Sequence, residues 1–384
     1  MRTLHVAAMP FPTQQGTQAL VHTMLCALAE TGHDSHLLCY GHGAFERETP
    51  YTVHRLRGWA RGSLRSGPSP EKLVQDALLV PALRRLTARL EPEIVVAHHV
   101  EAALATLLAR VHPVLFVAHT SLSAELRSYF PTSVSGLFDV AGRSLDRALC
   151  RGAERVVAVS PLLARQLMAD SQVDVSPLQI PWPLPIVGER SLERGPARRA
   201  LGLGDEDEVV LYAGNLDGYQ GLRSLALGLS YLAQQRPGLR WLVATQSAPR
   251  ELQTLLHGLG LTERVRVSPL ASESDRRQVH AAADLAVVPR GSSGGLPIKL
   301  LDALGRGVPV VAVRRALAGL PFHEVCTAIA DDDANAWQRA LQQHFQACRG
   351  AAGAEAQRSY LRQTHASEHF VADFLRHAAA CHVA

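Results

Sequence analysis

Asp284-Leu-Ala-Val-Val-Pro-Arg-Gly-Ser-Ser-Gly-Gly-Leu-Pro-Ile-Lys-Leu-Leu-Asp-Ala-Leu-Gly-Arg-Gly-Val-Pro-Val-Val-Ala-Val313 decides the fold of this chain. It reads as an apolar strand (Leu285–Val288), a glycine-rich loop (Arg290–Gly295), a helix (Pro297–Leu304), a Gly305-x-Gly307 stop and a second strand (Val308–Val313). Pro297 has the fixed φ of a first helical turn, and glycines suit a C-terminal stop. Such a loop leaves several backbone N–H groups at a helix N-terminus without intrahelical partners. With the helix dipole they form an anion site, most often used for phosphate. Lys299 lies in the first turn of that helix and Asp302 almost one turn on.

Working outward, the same alternation recurs. At 384 residues the chain exceeds one ordinary core and predicts two domains. A first strand (residues 3–9) leads into the loop Pro10–Gly16 and a helix with Leu20, Val21, Met24, Leu25 and Leu28 on one stripe. Ser35–Tyr40, Ile94–Ala97, Val114–Ala118 and Arg155–Val159 read as further strands of one doubly wound α/β domain. Residues 181–204, rich in proline and charge, read as a linker. The pattern then restarts with strand Val209–Ala213, a Gly214–Gly221 loop and a helix, followed by strands Trp241–Ala244 and Val265–Val267. Residues 366–380 form a tail helix with Phe370, Val371, Phe374 and Leu375 on one face. Open α/β sheets bind ligands at the carboxyl ends of their strands, and two such domains are expected to face each other across a cleft.

Composition narrows the function. A hydrophobic fraction of 47% supports full packing, and a net charge of +4 is too mild to indicate nucleic acid. No apolar run reaches the roughly 18–20 residues that span a bilayer. The opening MRTLHVAAMPFP lacks a small-residue cleavage site, so no signal peptide is expected. Six scattered cysteines without Cys-x-x-Cys argue against zinc and for reduced thiols in a cytoplasmic protein.

Four motifs in order resemble the family-4 retaining glycosyltransferases of GT-B fold, also called glycosyl transferases group 1. The first is the Phe11-Pro-x-x-x-Gly16 loop with its helix ending in Thr31-Gly-His-Asp34. Arg151-Gly-Ala-Glu-Arg-Val-Val-Ala-Val-Ser160 and Val210-Leu-Tyr-Ala-Gly-Asn-Leu216 follow, and the opening stretch is the most specific. The resemblance implies an N-terminal acceptor domain (1–183 plus 365–384, with the tail helix returning to it) and a C-terminal nucleotide-sugar domain (184–364). It also implies transfer of a hexose from a nucleotide-diphosphate sugar to a glycan or lipid-linked acceptor, with retention at the anomeric carbon. No metal or other cofactor is implied.

By the same resemblance, Gly214, Asn215, Gln220, Gly294, Gly295, Leu296, Lys299 and Asp302 hold the donor, and Gly16 and Thr17 face the acceptor. Lys299 and Arg290 meet the diphosphate, and Asp302 the nucleotide ribose. His119, at a strand's carboxyl end, faces the transferred sugar; His98 and His99 are alternatives to it. Three positions depart from the pattern. Gly294 stands where the family has the first glutamate of its pair, and Asn215 and Gln220 replace an arginine and a lysine that clamp the diphosphate. Arg290, Lys299 or Arg250 is expected to compensate.

Other charges have bland readings. The run Asp331–Asp333 precedes a helical pattern and reads as a cap rather than a metal site. Arg276-Arg277 and Arg314-Arg315 read as solvated faces. The basic stretch Arg55–Arg89 reads either as a flank for an anionic membrane, placing the protein peripherally on the inner face, or as a solvated loop. Two other functions fit the architecture: a sugar-nucleotide 2-epimerase, which the few acids in the ligand-facing loops disfavour, and a non-catalytic nucleotide-sugar-binding partner in glycan assembly.

Overall fold

The computed structural model describes residues 1–13, 15–43, 48–57, 69–129, 135–182, 193–291, 295–317, 319–320, 322, 325–330, 332–347 and 352–382. The chain divides into two compact units. The first is Met1–Pro181 with Ser293–Leu296 and His365–Ala384; the second is Trp182–Ser292 with Pro297–Thr364.

The first unit holds seven parallel strands: β1 (Arg2–Ala7), β2 (Asp34–Cys39), β3 (Thr52–Arg55), β4 (Ile94–His98), β5 (Val114–Ala118), β6 (Arg155–Ala158) and β7 (Val175–Pro177). Their spatial order is β3-β2-β1-β4-β5-β6-β7. Every residue of β4 and β5 is buried. That continuous burial, without alternation, marks a parallel sheet covered on both faces. The tail helix Ser367–Ala380 packs on the helix Gly16–Glu30. It is pinned by Asp373, whose carboxylate accepts the Gln179 N–H at 2.8 Å.

The second unit holds six parallel strands: β8 (Glu208–Ala213), β9 (Leu239–Thr245), β10 (Val265–Pro269), β11 (Leu285–Val288), β12 (Val310–Val313) and β13 (Thr327–Ile329). They run in the order β10-β9-β8-β11-β12-β13, so strand order reverses between β8 and β11. Trp241, Trp337 and Tyr212 are the largest side chains of its core cluster.

Details differ from the sequence reading for local reasons. Pro297 sits outside the helix as its N-cap (φ −75°, ψ 104°), and the helix runs Ile298–Gly305. Strand β12 starts at Val310 because Pro309 has no N–H for the ladder; its carbonyl still accepts from Ala286 at 2.8 Å. The expected linker ends in a helix, Arg194–Ala200, while residues 183–192 lie outside the described ones. Arg198 of that helix is fully buried, paired to Asp284 at 2.6 Å and donating to the carbonyls of Ala282 and Asp205. Charge in this segment therefore builds structure instead of solvating a spacer.

The two glycines at the end of Ile298–Gly305 do different work. Gly307 has φ +73° and supplies the left-handed residue of the stop. Gly305 is a packing glycine: a Cβ there would lie 1.6 Å from the Trp182 ring.

Candidate active site

In the second unit, the loop after β8 and the helix Ile298–Gly305 bring four expected donor residues into one polar ring. Lys299 Nζ donates to Gln220 Oε1 at 2.8 Å and to the Tyr212 hydroxyl at 3.1 Å. Gln220 Nε2 donates to Asn215 Oδ1 at 2.6 Å. Asn215 Nδ2 in turn donates to Asp217 at 2.8 Å and to the Tyr219 hydroxyl at 3.0 Å, and the Tyr212 hydroxyl donates to the Asn215 carbonyl. Gly214 lies so close that a Cβ on it would stand 2.7 Å from Lys299 Nζ. The Arg290 guanidinium sits over the Tyr219 ring, 5.4 Å from its centroid. Arg250 is exposed at the start of another helix and makes no described side-chain contact with this ring.

The electrostatics follow from this packing. Burial, and then the Arg290 charge, push the Lys299 ammonium down to about 7, against an opposing pull from Asp217. A lysine so placed gains charge when an anion arrives. Gln220, where the family pattern has a lysine, supplies a neutral acceptor that orients Lys299. The ring's members beyond the expected set, Tyr212, Asp217 and Tyr219, were visible in the Val210–Leu216 motif and its loop but carried no pattern of their own.

Asp302, the expected ribose ligand, is engaged by two arginines of its own chain. It is 3% exposed, and its two oxygens accept from Arg276 at 2.7 Å and Arg306 at 3.0 Å. Burial alone would raise its carboxyl; Arg276, His280 and Arg306 outweigh that and hold it below the usual carboxylate range. Arg276 is accordingly not on a solvated face, whereas Arg314 and Arg315 are exposed. With one methylene fewer than glutamate, this carboxylate ties the helix Glu273–Ala282 to Ile298–Gly305.

In the first unit, His119 follows β5 and is 4% exposed. Its Nε2 lies 3.1 Å from His98 Nδ1, and His98 Nε2 lies 2.9 Å from His5 Nδ1. His99, with φ +76°, is held by Glu101 at 2.8 Å and Glu125 at 3.2 Å. Burial alone would lower its imidazole, but the two carboxylates outweigh it and raise it well above its ordinary value, favouring the charged form. Burial, with His98 and His99 next, holds His119 well below its ordinary value and neutral. Gly295, with φ +66°, brings backbone against this site: a Cβ there would stand 2.3 Å from the His119 carbonyl oxygen. Leu296 beside it is buried; Gly294 lies outside the described residues.

Gly16 and Thr17 open the helix Gly16–Glu30 rather than lying in a loop. Gly16 is exposed, and its N-cap Gln15 makes no side-chain cap. Asp333 caps the helix Ala334–Gln346 by accepting from the Ala336 N–H at 2.8 Å, and Asp332 accepts from Ser224 and Trp337; Asp331 is not described. Among the described residues no group of three or more His, Cys, Asp or Glu is placed to hold a metal ion. No described helix is long and apolar enough to cross a membrane.

Comparison with known proteins gives this architecture its class. Solved structures share the fold of the chain over nearly its whole length. Sucrose-phosphate synthase from Thermosynechococcus elongatus matches with a TM-score of 0.80 at 17% identity, covering 98% of both chains. Anabaena HepE in complex with UDP and glucose matches with a TM-score of 0.74 at 16% identity, covering 98% of this chain and 99% of that one. The fold is GT-B. The model of Glycosyltransferase Family 4 matches residues 15–180 and that of Glycosyl transferases group 1 matches residues 207–346. The chain belongs to this family of glycosyltransferases. Among curated relatives, D-inositol 3-phosphate glycosyltransferase of Mycobacterium marinum is 30% identical over 213 residues, 53% of this chain and 44% of that protein. The match thus spans less than half the length of that relative.

Proposed function

We propose that the protein transfers a hexosyl group from a nucleotide-diphosphate sugar to a glycan or lipid-linked acceptor, with retention of anomeric configuration and without a metal ion. The observation that carries this reading is the convergence of Gly214, Gln220 and Lys299 at the carboxyl end of β8, where the strand order reverses. That is where open α/β sheets take their ligands.

In glycosyl transfer from such a donor, negative charge builds on the departing diphosphate. Fixed donors aimed at it supply much of the rate. Lys299, held by Gln220 and Tyr212, is oriented before the donor arrives and becomes fully charged against it. Arg290 adds a second positive charge nearby. His119, neutral and buried, meets the sugar as a polar group and not as a cation. The donor phosphate is the group that takes up the acceptor's proton, so no protein residue is given a covalent role.

The setting is cytoplasmic in this reading. Peripheral contact with an anionic membrane is supported by Leu73, Val74 and Leu78, which stand exposed on the helix Pro70–Leu90 beside its basic residues. Arg84 of that run is spent on the Leu108 and Ala109 carbonyls, and residues 58–68, with Arg61 and Arg65, lie outside the described ones.

The deciding experiment is incubation of the purified chain with a panel of nucleotide sugars. Release of the nucleotide diphosphate with transfer or hydrolysis of the sugar supports the proposal. Release of a 2-epimer identifies an epimerase, and tight binding without turnover identifies a non-catalytic nucleotide-sugar-binding partner.

A further inference from the structure

Three histidines, in or just after three adjacent strands, form a single file through the core of the first unit. His5 lies within β1, His98 ends β4 and His119 follows β5. They are 1%, 0% and 4% exposed. The rings of His5 and His98 stack at 5.2 Å, and Phe374 of the tail helix stacks on the far side of His5 at 5.9 Å. Two nitrogen–nitrogen hydrogen bonds join the file, and its inner end, His5 Nε2, is buried with no hydrogen-bond partner. At the outer end, no described hydrogen bond engages His119 Nδ1.

Each bond needs one N–H and one lone pair, so neutral rings allow only two arrangements. In one, protons point inward: His119 Nε2–H donates to His98, His98 Nε2–H donates to His5, and an N–H is stranded at His5 Nε2. In the other, protons point outward: His5 Nδ1–H donates to His98, His98 Nδ1–H donates to His119 Nε2, and only a lone pair is stranded. Orphaned buried N–H groups are the rarer fault in native proteins, so the outward arrangement is favoured. A second proton on any of the three rings would add charge to a fully buried file that already faces His99, whose two carboxylate partners favour its charged form.

We propose that His5 and His98 are positioning residues that fix the tautomer of His119, leaving its proton on Nδ1. His119 then meets a ligand hydroxyl or phosphate oxygen as a neutral donor, and it has no lone pair with which to act as a general base. Its meeting a sugar at all rests on the glycosyl-transfer reading; its tautomer does not.

The test is long-range proton–nitrogen NMR on the full chain with nitrogen-15-labelled histidine, with His119 assigned by its loss in His119→Asn. The expected result is a pyrrole-type Nδ1 and a pyridine-type Nε2 on His119 at neutral pH, without any substrate. A proton on Nε2, or an imidazolium, overturns the proposal. Replacing His98 with phenylalanine removes the donor to Nε2 while keeping a ring in place, and is expected to return His119 to the Nε2–H form. If that variant does not fold, the unsubstituted chain still decides the tautomer. Where turnover of a nucleotide sugar is measured, His98→Phe is expected to lower kcat at least tenfold with nucleotide affinity unchanged. Full turnover in that variant overturns the positioning role. A native chain without turnover counts against the proposed reaction alone, because the NMR result stands without it.

Discussion

Lys299 Nζ lies 2.8 Å from Gln220 Oε1, a cation held by a neutral amide where the family pattern has a second cation. The amide orients the ammonium without sharing its task of meeting an anion. Replacing Lys299 with alanine is expected to weaken nucleotide-diphosphate binding by about ten- to a hundredfold, the loss of ~1.5–3 kcal/mol from a charge-assisted hydrogen bond. Calorimetric titration with nucleoside diphosphates measures it. Unchanged affinity in the variant would falsify the phosphate assignment.

Binding at this site is expected to take up a proton. The free Lys299 ammonium titrates at about 7, and a bound diphosphate raises that value. The linked affinity is therefore fully present below about 7 and is lost as pH rises toward the bound-state pKa. Titrations at pH 8 in buffers of different ionisation enthalpy measure the proton count directly. A count of zero there rules Lys299 out as the linked group.

Asp302 is expected to matter more for stability than for the donor. Removing one partner from a buried, hydrogen-bonded ion pair costs about 3–5 kcal/mol, and Asp302→Ala leaves Arg276 and Arg306 with Glu273 alone, so the loss is expected toward the lower end of that range. Denaturant unfolding should show that loss, with nucleotide affinity unchanged in the fraction that remains folded. The pH sign follows from the depressed carboxyl: its stabilisation is present above its unfolded-state pKa and lost as pH falls through the folded one. The alanine variant should lack that acid-side loss. A variant of native stability that no longer binds nucleotide would restore Asp302 to the ribose.

The exposed apolar residues of Pro70–Leu90 give the membrane reading a direct check. The chain is expected to co-sediment weakly with vesicles rich in anionic lipid, less so in high salt, because charge attraction to a leaflet is screened within about a Debye length. Leu73→Glu with Leu78→Glu should abolish it. Absence of sedimentation at any salt would remove the membrane from the account.

Much of this molecule was legible before its structure. Apolar runs such as Ile94–Ala97 and Val114–Ala118 can hardly be anything but buried parallel strands, and glycine loops after them mark the ligand-facing ends. Lys299 was legible for the same reason, being two residues from a proline at a helix start. The fate of polar side chains was not. Asp302 and Arg276 are 26 residues apart, and only the packing of two helices makes an expected ribose ligand and an expected solvated arginine partners of one another. Arg198 likewise looked like spacer charge until Asp284 was beside it. His5 sits in an apolar strand, where one histidine gives no sign that two more lie in line with it.

The contact at Gly305 carries a consequence for the family's history. Its glycine answers to Trp182, a residue at the start of the proline-rich stretch, and not to the backbone of its own helix. Neither position is free to drift alone: a bulkier residue at 305 requires the indole at 182 to shrink, and a lost indole relaxes the demand for glycine. Across descendants of this chain the two should change as a pair, and a sequence that keeps one without the other marks a helix seated differently beneath the lysine.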